Sequence, residues 1–277
     1  MHPILIDLKF IPVFSFGAMV AAAFFAGLVL VLRRGKELGI DQAFLSDLFL
    51  VILLCSIAGA RLMYVLTNWS YFAANPLEIV MVQRGGLVVY GGMAAAALGS
   101  LVFIKAKRYS YFRIIDIFMP YLALGQALGR IGCFMNGCCF GKVTGSIFSV
   151  VFPANSLPYT DHLDKGLIAP GAAHSCAVYP AQLYSSAVDL AIFAALAEID
   201  RRKRWNGKTF WSYLILYPLK RFFIEFVRGD SPALLAGLTE YQLISAGLLC
   251  CGIAGYVLFR SKSGVTRSQP CADRCQV

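Results

Sequence analysis

The segment GRIGCFMNGCCFG (129–141) gathers one arginine, one asparagine, four glycines and three cysteines within thirteen residues. A second segment, KRFFIEFVR (220–228), spaces Arg221, Glu225 and Arg228 by four and three residues, which puts them on one helical face. Guanidinium binds phosphate as a planar fork. Arg130, Arg221 and Arg228, with Arg61 from AGARLMYVL (58–66), are therefore candidates for an anion site, and Glu225 for a partner within it. A ring of interfacial anchors with an Arg–Glu pair fits the same spacing. RGGLVVYGGM (84–93) adds two Gly-Gly pairs around Tyr90. Gly91 and Gly92 serve either tight helix packing or an anion received at a helix start, where Tyr90 could donate a hydrogen bond.

The thiols and imidazoles narrow the chemistry. Of nine cysteines, Cys133, Cys138, Cys139 and Cys176 fall on one predicted side of the membrane. In an oxidising compartment these four could form one or two disulfides. Cys55, Cys250 and Cys251 read as small packing residues, and Cys271 and Cys275 as reduced tail residues. The C-x4-C-C spacing matches no standard zinc pattern, so neither metal nor cofactor is expected. No His or carboxylate accompanies these thiols in sequence, which argues against a cysteine nucleophile. His2, His162 and His174 all lie outside the apolar runs, so the bundle has no histidine base.

The elements that must position these groups are apolar. The 277 residues are 58% hydrophobic and 14% charged, against about a quarter charged in soluble domains. The net charge of +10 clusters at the ends of apolar runs, which excludes a nucleic-acid surface. Seven runs approach the ~20 residues that span a bilayer: 13–32, 43–66, 86–104, 114–132, 181–199, 209–227 and 238–259. The first lacks a basic leader region and reads as a retained helix. Sixteen of the 25 Lys and Arg flank the spans on one side, at 33–36, 105–113, 201–208 and 260–274. The positive-inside rule then puts the N-terminus outside and the C-terminus in the cytoplasm. The expectation is an all-α membrane protein of about seven transmembrane helices. It has one polytopic domain over 1–260, an outer-side segment over 133–180 and a mobile cytoplasmic tail over 261–277. Arginines at bilayer depth in three spans face a cavity or a partner, and a phospholipid headgroup fits that placement better than anchoring does.

GRIGCFMNGCCFG resembles the signature G-R-x-G-N-F-x-N-G-E of the prolipoprotein diacylglyceryl transferases, matching at Gly129, Arg130, Gly132, Phe134, Asn136 and Gly137. Further similarities follow in order: GARLMYVL (59–66), the glycine pairs at 85–92, Asp116 in FRIIDIFMP, YPAQLY (179–184) and KRFFIEFVR. The resemblance implies a multi-pass enzyme of the bacterial inner membrane, with its active site toward the outer leaflet. Such an enzyme moves a diacylglyceryl group from phosphatidylglycerol to the lipobox cysteine of a prolipoprotein signal peptide and releases glycerol phosphate. It places catalytic and phosphate-binding roles on Arg130, Asn136 and Arg221, with Glu225 and Gln182 in support. Tyr90 stands where the family has His and takes a positioning role.

The chain departs from the family's pattern at five positions. Phe16 stands for Tyr, Tyr90 for His, Cys133 for Asn, Cys138 for Glu and Ser185 for Glu. The cations remain while the proton-handling groups are thinned out. Stabilising the departing phosphate is the larger demand, and arginines meet it. A thiol near a cation can ionise without a dedicated base. Three readings stay open: this transfer, transfer by the same fold to a different acceptor, and phospholipid binding without catalysis. A transporter would show paired repeats and broken helices, and none stands out.

Overall fold

The computed structural model describes residues 4–8, 11–82, 85–229, 233–235 and 237–265. Arg84 and the expected tail beyond Val265 lie outside them. The chain opens with an antiparallel pair, β1 (Ile4–Leu8) and β2 (Ile11–Phe14), which the apolar pattern did not predict. Helices α1 (Ser15–Glu37), α2 (Gln42–Thr67) and the short α3 (Trp69–Ala74) follow, then a 3-10 turn (Pro76–Val80). Next come α4 (Val89–Ala106), α5 (Tyr111–Asn136), α6 (Leu157–Asp164), α7 (Ala181–Arg202) and α8 (Lys208–Glu225). A short β3 (Ala233–Leu235) and β4 (Leu238–Thr239) lead into α9 (Glu240–Val265).

The protein is an all-α membrane protein. Among the described residues, α1, α2, α4, α5, α7 and the Glu240–Ser261 part of α9 are long and apolar enough to cross a membrane, which makes six rather than seven. The seventh expected run is helical as α8, but it carries Lys208, Lys220, Arg221 and Glu225. Four charges on an 18-residue helix remove it from the apolar set, and three of them, Lys220, Arg221 and Glu225, gather near its end.

Two compact units form, Leu28–Ile114 and Met1–Gly27 with Ile115–Val277. In the first, α2 and α4 cross on small residues. A Cβ on Gly59 would sit 2.5 Å from the Gly91 carbonyl oxygen, and one on Gly92 2.8 Å from that of Ser56. Backbones this close exclude any side chain, which is how membrane helices gain packing energy. Gly91 and Gly92 thus act in helix packing, the first of the two roles their sequence allowed.

Arg61, buried on α2, is likewise committed. Its Nε donates to the Ile79 carbonyl at 2.9 Å, and its Nη1 to Gly85 and Gly86 at 2.6 and 3.1 Å. Its Nη2 donates to Glu78, and the guanidinium lies over the Phe72 ring at 5.2 Å. The fork clamps the 78–86 connection to α2. This corrects the expectation that Arg61 binds phosphate, because four carbonyls already hold its donors. Lysine cannot reproduce a planar fork. Arg61→Lys is expected to lower stability by roughly 1.5–3 kcal/mol. Thermal unfolding in detergent checks this, and an unchanged midpoint contradicts the clamp.

In the second unit, Asp116 organises the start of α8. Its Oδ1 accepts from Phe210 N at 2.9 Å, and its Oδ2 from Gly207 N at 2.8 Å and Lys203 Nζ at 3.1 Å. Gly207 is the N-cap and has no side chain to satisfy the first turn, so α5 supplies the missing acceptor. Gln126 of α5 bonds Tyr213 of α8 at 2.9 Å. Ser186 of α7 donates to the Ala127 carbonyl at 3.0 Å.

The connection between α5 and α7 is folded. Phe140, Phe152 and Val178 form a small core with Phe134 and Val150 against it. Bridges join Val143 and Val150 to Val178, and Gly141 to Arg228. His162, 2% exposed, accepts from Cys176 N at Nδ1 (3.1 Å) and meets the Phe140 ring edge-on. Burial pushes its pKa below the ordinary 6.5, outweighing Asp161, while Lys165 acts in the same direction as burial. The unfolded chain then takes up this proton first on acidification. Its contribution is complete above pH ~6.5 and is lost as pH falls through the depressed folded value. His162→Gln is expected to flatten this acid sensitivity, as read by unfolding midpoints between pH 5 and 8.

Candidate active site

The end of α5 sets the first part of the site. Gly137, at φ +79°, closes the helix in the left-handed conformation. Gly137 N bonds the Phe134 carbonyl at 3.3 Å, and Cys138 N bonds that of Cys133 at 3.1 Å. This is the paired hydrogen-bond pattern of a Schellman cap. It folds Cys138 back over Cys133. Cys139 also takes a positive φ, +59°, which is rare and costly for a side-chain-bearing residue. The sulfurs of Cys133, Cys138 and Cys139 consequently lie within 4.8 Å of one another. All three are free thiols. Cys176 is apart from them, its Sγ bonded to the Leu167 carbonyl at 3.7 Å. The structure therefore pairs none of the four expected disulfide candidates. Asn136 lies beside the trio and its side chain reaches the Cys138 thiol.

Helix α7 supplies one buried polar face at Gln182, Ser185, Ser186 and Asp189, spaced by about one turn. Gln182 Nε2 donates to the Cys138 carbonyl at 2.8 Å, so this side chain fixes the cysteine turn. Its Oε1 is buried with no partner among the described residues. Lys220 of α8 bonds both Asp189 oxygens at 2.9 Å and Ser185 Oγ at 3.2 Å. The pair is essentially fully buried. Ser185, one of the positions where the sequence departs from the resemblance, has a carboxylate one turn on, Asp189, against its hydroxyl.

The other cations follow at the end of α8 and just past it. Arg221 Nη2 lies 3.3 Å from Glu225 Oε2, and Arg228 Nε lies 3.9 Å from it. Tyr241 of α9 stacks under Arg221 at 4.4 Å and reaches Arg228 at 5.8 Å. Arg221 Nη1 is buried and donates to nothing among the described residues. Arg130, half-buried two turns before the end of α5, has no hydrogen bond or ion pair among them. Its charge acts on Asp189, Lys220, Arg221 and Cys139. Among the described residues, Lys220 pairs with Asp189, and Arg221 and Arg228 share Glu225. Phe16, where the family has Tyr, packs beside Gly132.

The structure therefore brings together Arg130, Asn136, Gln182, Arg221, Glu225 and Arg228. Tyr90, Gly91, Gly92 and Arg61 belong to the Leu28–Ile114 unit. Tyr90 is 44% exposed near the start of α4. Sequence reasoning missed Asp189, although a lone acid within an apolar run is itself a signal. It also gave Lys220 no partner and overlooked Tyr241, whose role depends on a helix distant in sequence. The spacing argument against a metal site assumed a continuous reading of C-x4-C-C and did not foresee the folded-back turn.

The family described as prolipoprotein diacylglyceryl transferase matches residues 3–258. Phosphatidylglycerol–prolipoprotein diacylglyceryl transferase 2 of Clostridium perfringens is 31% identical over 250 residues, covering 90% of this chain and 92% of that protein. The corresponding Clostridium tetani transferase is 31% identical over 91% of this chain and 96% of its own length. That of Bacillus cereus strain G9842 is 32% identical over 91% and 90%. With a family match over nearly the whole chain and relatives 31–32% identical along at least 90% of both lengths, this chain belongs to the prolipoprotein diacylglyceryl transferase family.

Proposed function

We propose that the protein transfers a diacylglyceryl group from phosphatidylglycerol to the lipobox cysteine of a prolipoprotein and releases glycerol phosphate. The observation that carries this reading is the guanidinium of Arg130 near the buried Nη1 of Arg221, both without a partner among the described residues. The family's substrates, as its members are named, supply the anion and the acceptor. The phosphodiester enters with one negative charge and leaves as a monoester with a second developing. Guanidinium donors in a buried setting favour the second state over the first, which is the requirement for catalysis.

In the transfer, the acceptor sulfur attacks the primary carbon of the glycerol backbone. The carbon–oxygen bond to phosphate breaks, and its electron pair passes to the phosphate oxygen. The thiol proton passes to solvent before or during attack. Arg130, Arg221 and Arg228 hold the phosphate, with Arg228 and Arg221 aligned by Tyr241. Asn136 and Gln182 position the turn that borders it. The chain lies in the bacterial inner membrane with its N-terminus outside and this cluster toward the outer leaflet, a placement supported by its basic flanks.

The test uses purified protein in detergent with phosphatidylglycerol and a fluorescent lipobox peptide. Mass spectrometry should find a diacylglyceryl thioether and glycerol phosphate. Intact phosphatidylglycerol alongside a working relative would overturn the reading. Lipid consumed without modified peptide would instead favour a different acceptor.

A further inference from the structure

We propose that Cys133, Cys138 and Cys139 hold a zinc ion through their three sulfurs, and that its fourth position takes the acceptor's thiol as a thiolate. The acceptor half of this inference rests on the transfer reading above; the metal half does not.

The geometry is the first argument. Three sulfurs within 4.8 Å of one another need to close only slightly to the ~3.8 Å separation that a tetrahedral zinc with Zn–S of about 2.3 Å imposes. The turn is already built for this. The Schellman cap brings Cys138 over Cys133, and Cys139 holds an unfavourable positive φ. The strain is maintained from both sides, by Gln182 on the Cys138 carbonyl at 2.8 Å and by Gly141 N on the Tyr179 carbonyl at 3.0 Å. Strain that the surroundings over-determine is a mark of functional turns.

Ligand count is the second argument. Among the described residues, no His, Asp, Glu or fourth Cys completes the group. Structural zinc sites close with four protein ligands, whereas catalytic ones keep a position open. Three thiolates give the ion a net charge of −1, which the nearby charges of Arg130 and Arg228 offset at Cys139. Thiolates also select zinc over the harder cations.

Chemistry is the third argument. Transfer needs a thiolate, and the histidines supply no base, since the Nδ1 of His162 is engaged by Cys176 N. A thiol coordinated to zinc is deprotonated outright. The peptide's S–H proton passes to solvent on coordination. The zinc-bound sulfur then forms the carbon–sulfur bond as the carbon–oxygen bond breaks, and the electron pair leaves on the phosphate held by the arginines. Nothing is oxidised or reduced.

The full-length protein should purify with about one zinc per chain by elemental analysis, as one open site requires. Cys133→Ser and Cys139→Ser should each lose it while keeping the helical circular dichroism of the parent. With cobalt in place of zinc, a lipobox peptide should change the visible spectrum, and the same peptide with Cys→Ala should not. Chelation should slow transfer about thirtyfold at pH 7, where a free thiol of pKa ~8.5 is some 3% ionised, and by much less at pH 9.

Absence of bound zinc after zinc loading overturns the site. So does a disulfide among the three cysteines in protein isolated without reductant. A cobalt spectrum indifferent to the peptide overturns the acceptor role. Undiminished transfer by the chelated protein overturns it too, while leaving the transferase reading intact. Zinc bound and peptide coordinated, with phosphatidylglycerol never consumed, would sink the transferase reading and leave the metal site standing.

Discussion

Arg130→Ala is expected to slow diacylglyceryl transfer by roughly 10²–10³-fold, the usual cost of removing one preorganised donor from a developing charge. The unfolding midpoint should stay within about a degree of the parent. Both expectations follow from one observation, that Arg130 has no hydrogen bond or ion pair among the described residues. Removing it strands no partner, so the fold loses little. The departing phosphate loses a bidentate donor at the moment its second charge develops, so the loss should appear mainly in kcat. Arg130→Lys should recover part of the rate, because a point charge remains while the planar fork is lost. Arg221→Ala makes the contrasting case. It removes the phosphate donor and also leaves Glu225 buried, with Arg228 at 3.9 Å as its remaining ion-pair neighbour, so rate and stability should fall together. Turnover of Arg130→Ala within threefold of the parent would remove Arg130 from the mechanism.

Lys220→Met should destabilise the protein far more, by about 3–5 kcal/mol, because it abandons a buried carboxylate. Lys220 and Asp189 are 2% and 0% exposed at the side chain and lie 2.9 Å apart. Methionine keeps much of the lysine's volume, so lost packing contributes little. The double variant Lys220→Met/Asp189→Leu removes both charges and should recover most of the loss, since replacing a buried pair by apolar groups is often neutral. Thermal unfolding of the two single variants and the double gives the coupling directly. Additive losses would show that the pair is not a coupled unit. The double variant also separates structure from catalysis, as it should fold yet transfer with altered efficiency if the Asp189–Lys220 charges help set the field around Arg130.

The fold was largely legible from hydropathy. The described helices fall on the seven expected ranges to within a few residues at most ends, because apolar length and flanking charge are local properties of the chain. Helix α8 shows where that reading thins. Its range was right, but its four charges make it a helix that the other elements must accommodate. The pairing of Arg221 with Glu225 was legible too, since i+4 spacing fixes a shared helical face; Arg228, expected on that face, instead lies past the end of α8, where a bridge to Gly141 places it beside Glu225. Legible as well was the turn after α5, which Gly137 ends as a glycine at that position should.

What the residues' spacing could not reveal was the partner of each polar group. Arg61 and Arg130 look alike in sequence, as single arginines at the outer ends of apolar runs. One is spent on four backbone carbonyls of a connection some twenty residues away, and the other is left without a partner among the described residues. Asp189 and Ser185 read as minor interruptions of a helix until Lys220, 31 residues on, closes on both. Cys133, Cys138 and Cys139 read as scattered thiols until a left-handed turn and a strained residue fold them onto one point. Local sequence therefore determined where helices form and which face carries charge, because those depend on neighbours within a turn or two. Only the tertiary structure decided which charges are consumed and which remain for a ligand, because in a membrane every buried polar group must find its partner wherever the fold brings one.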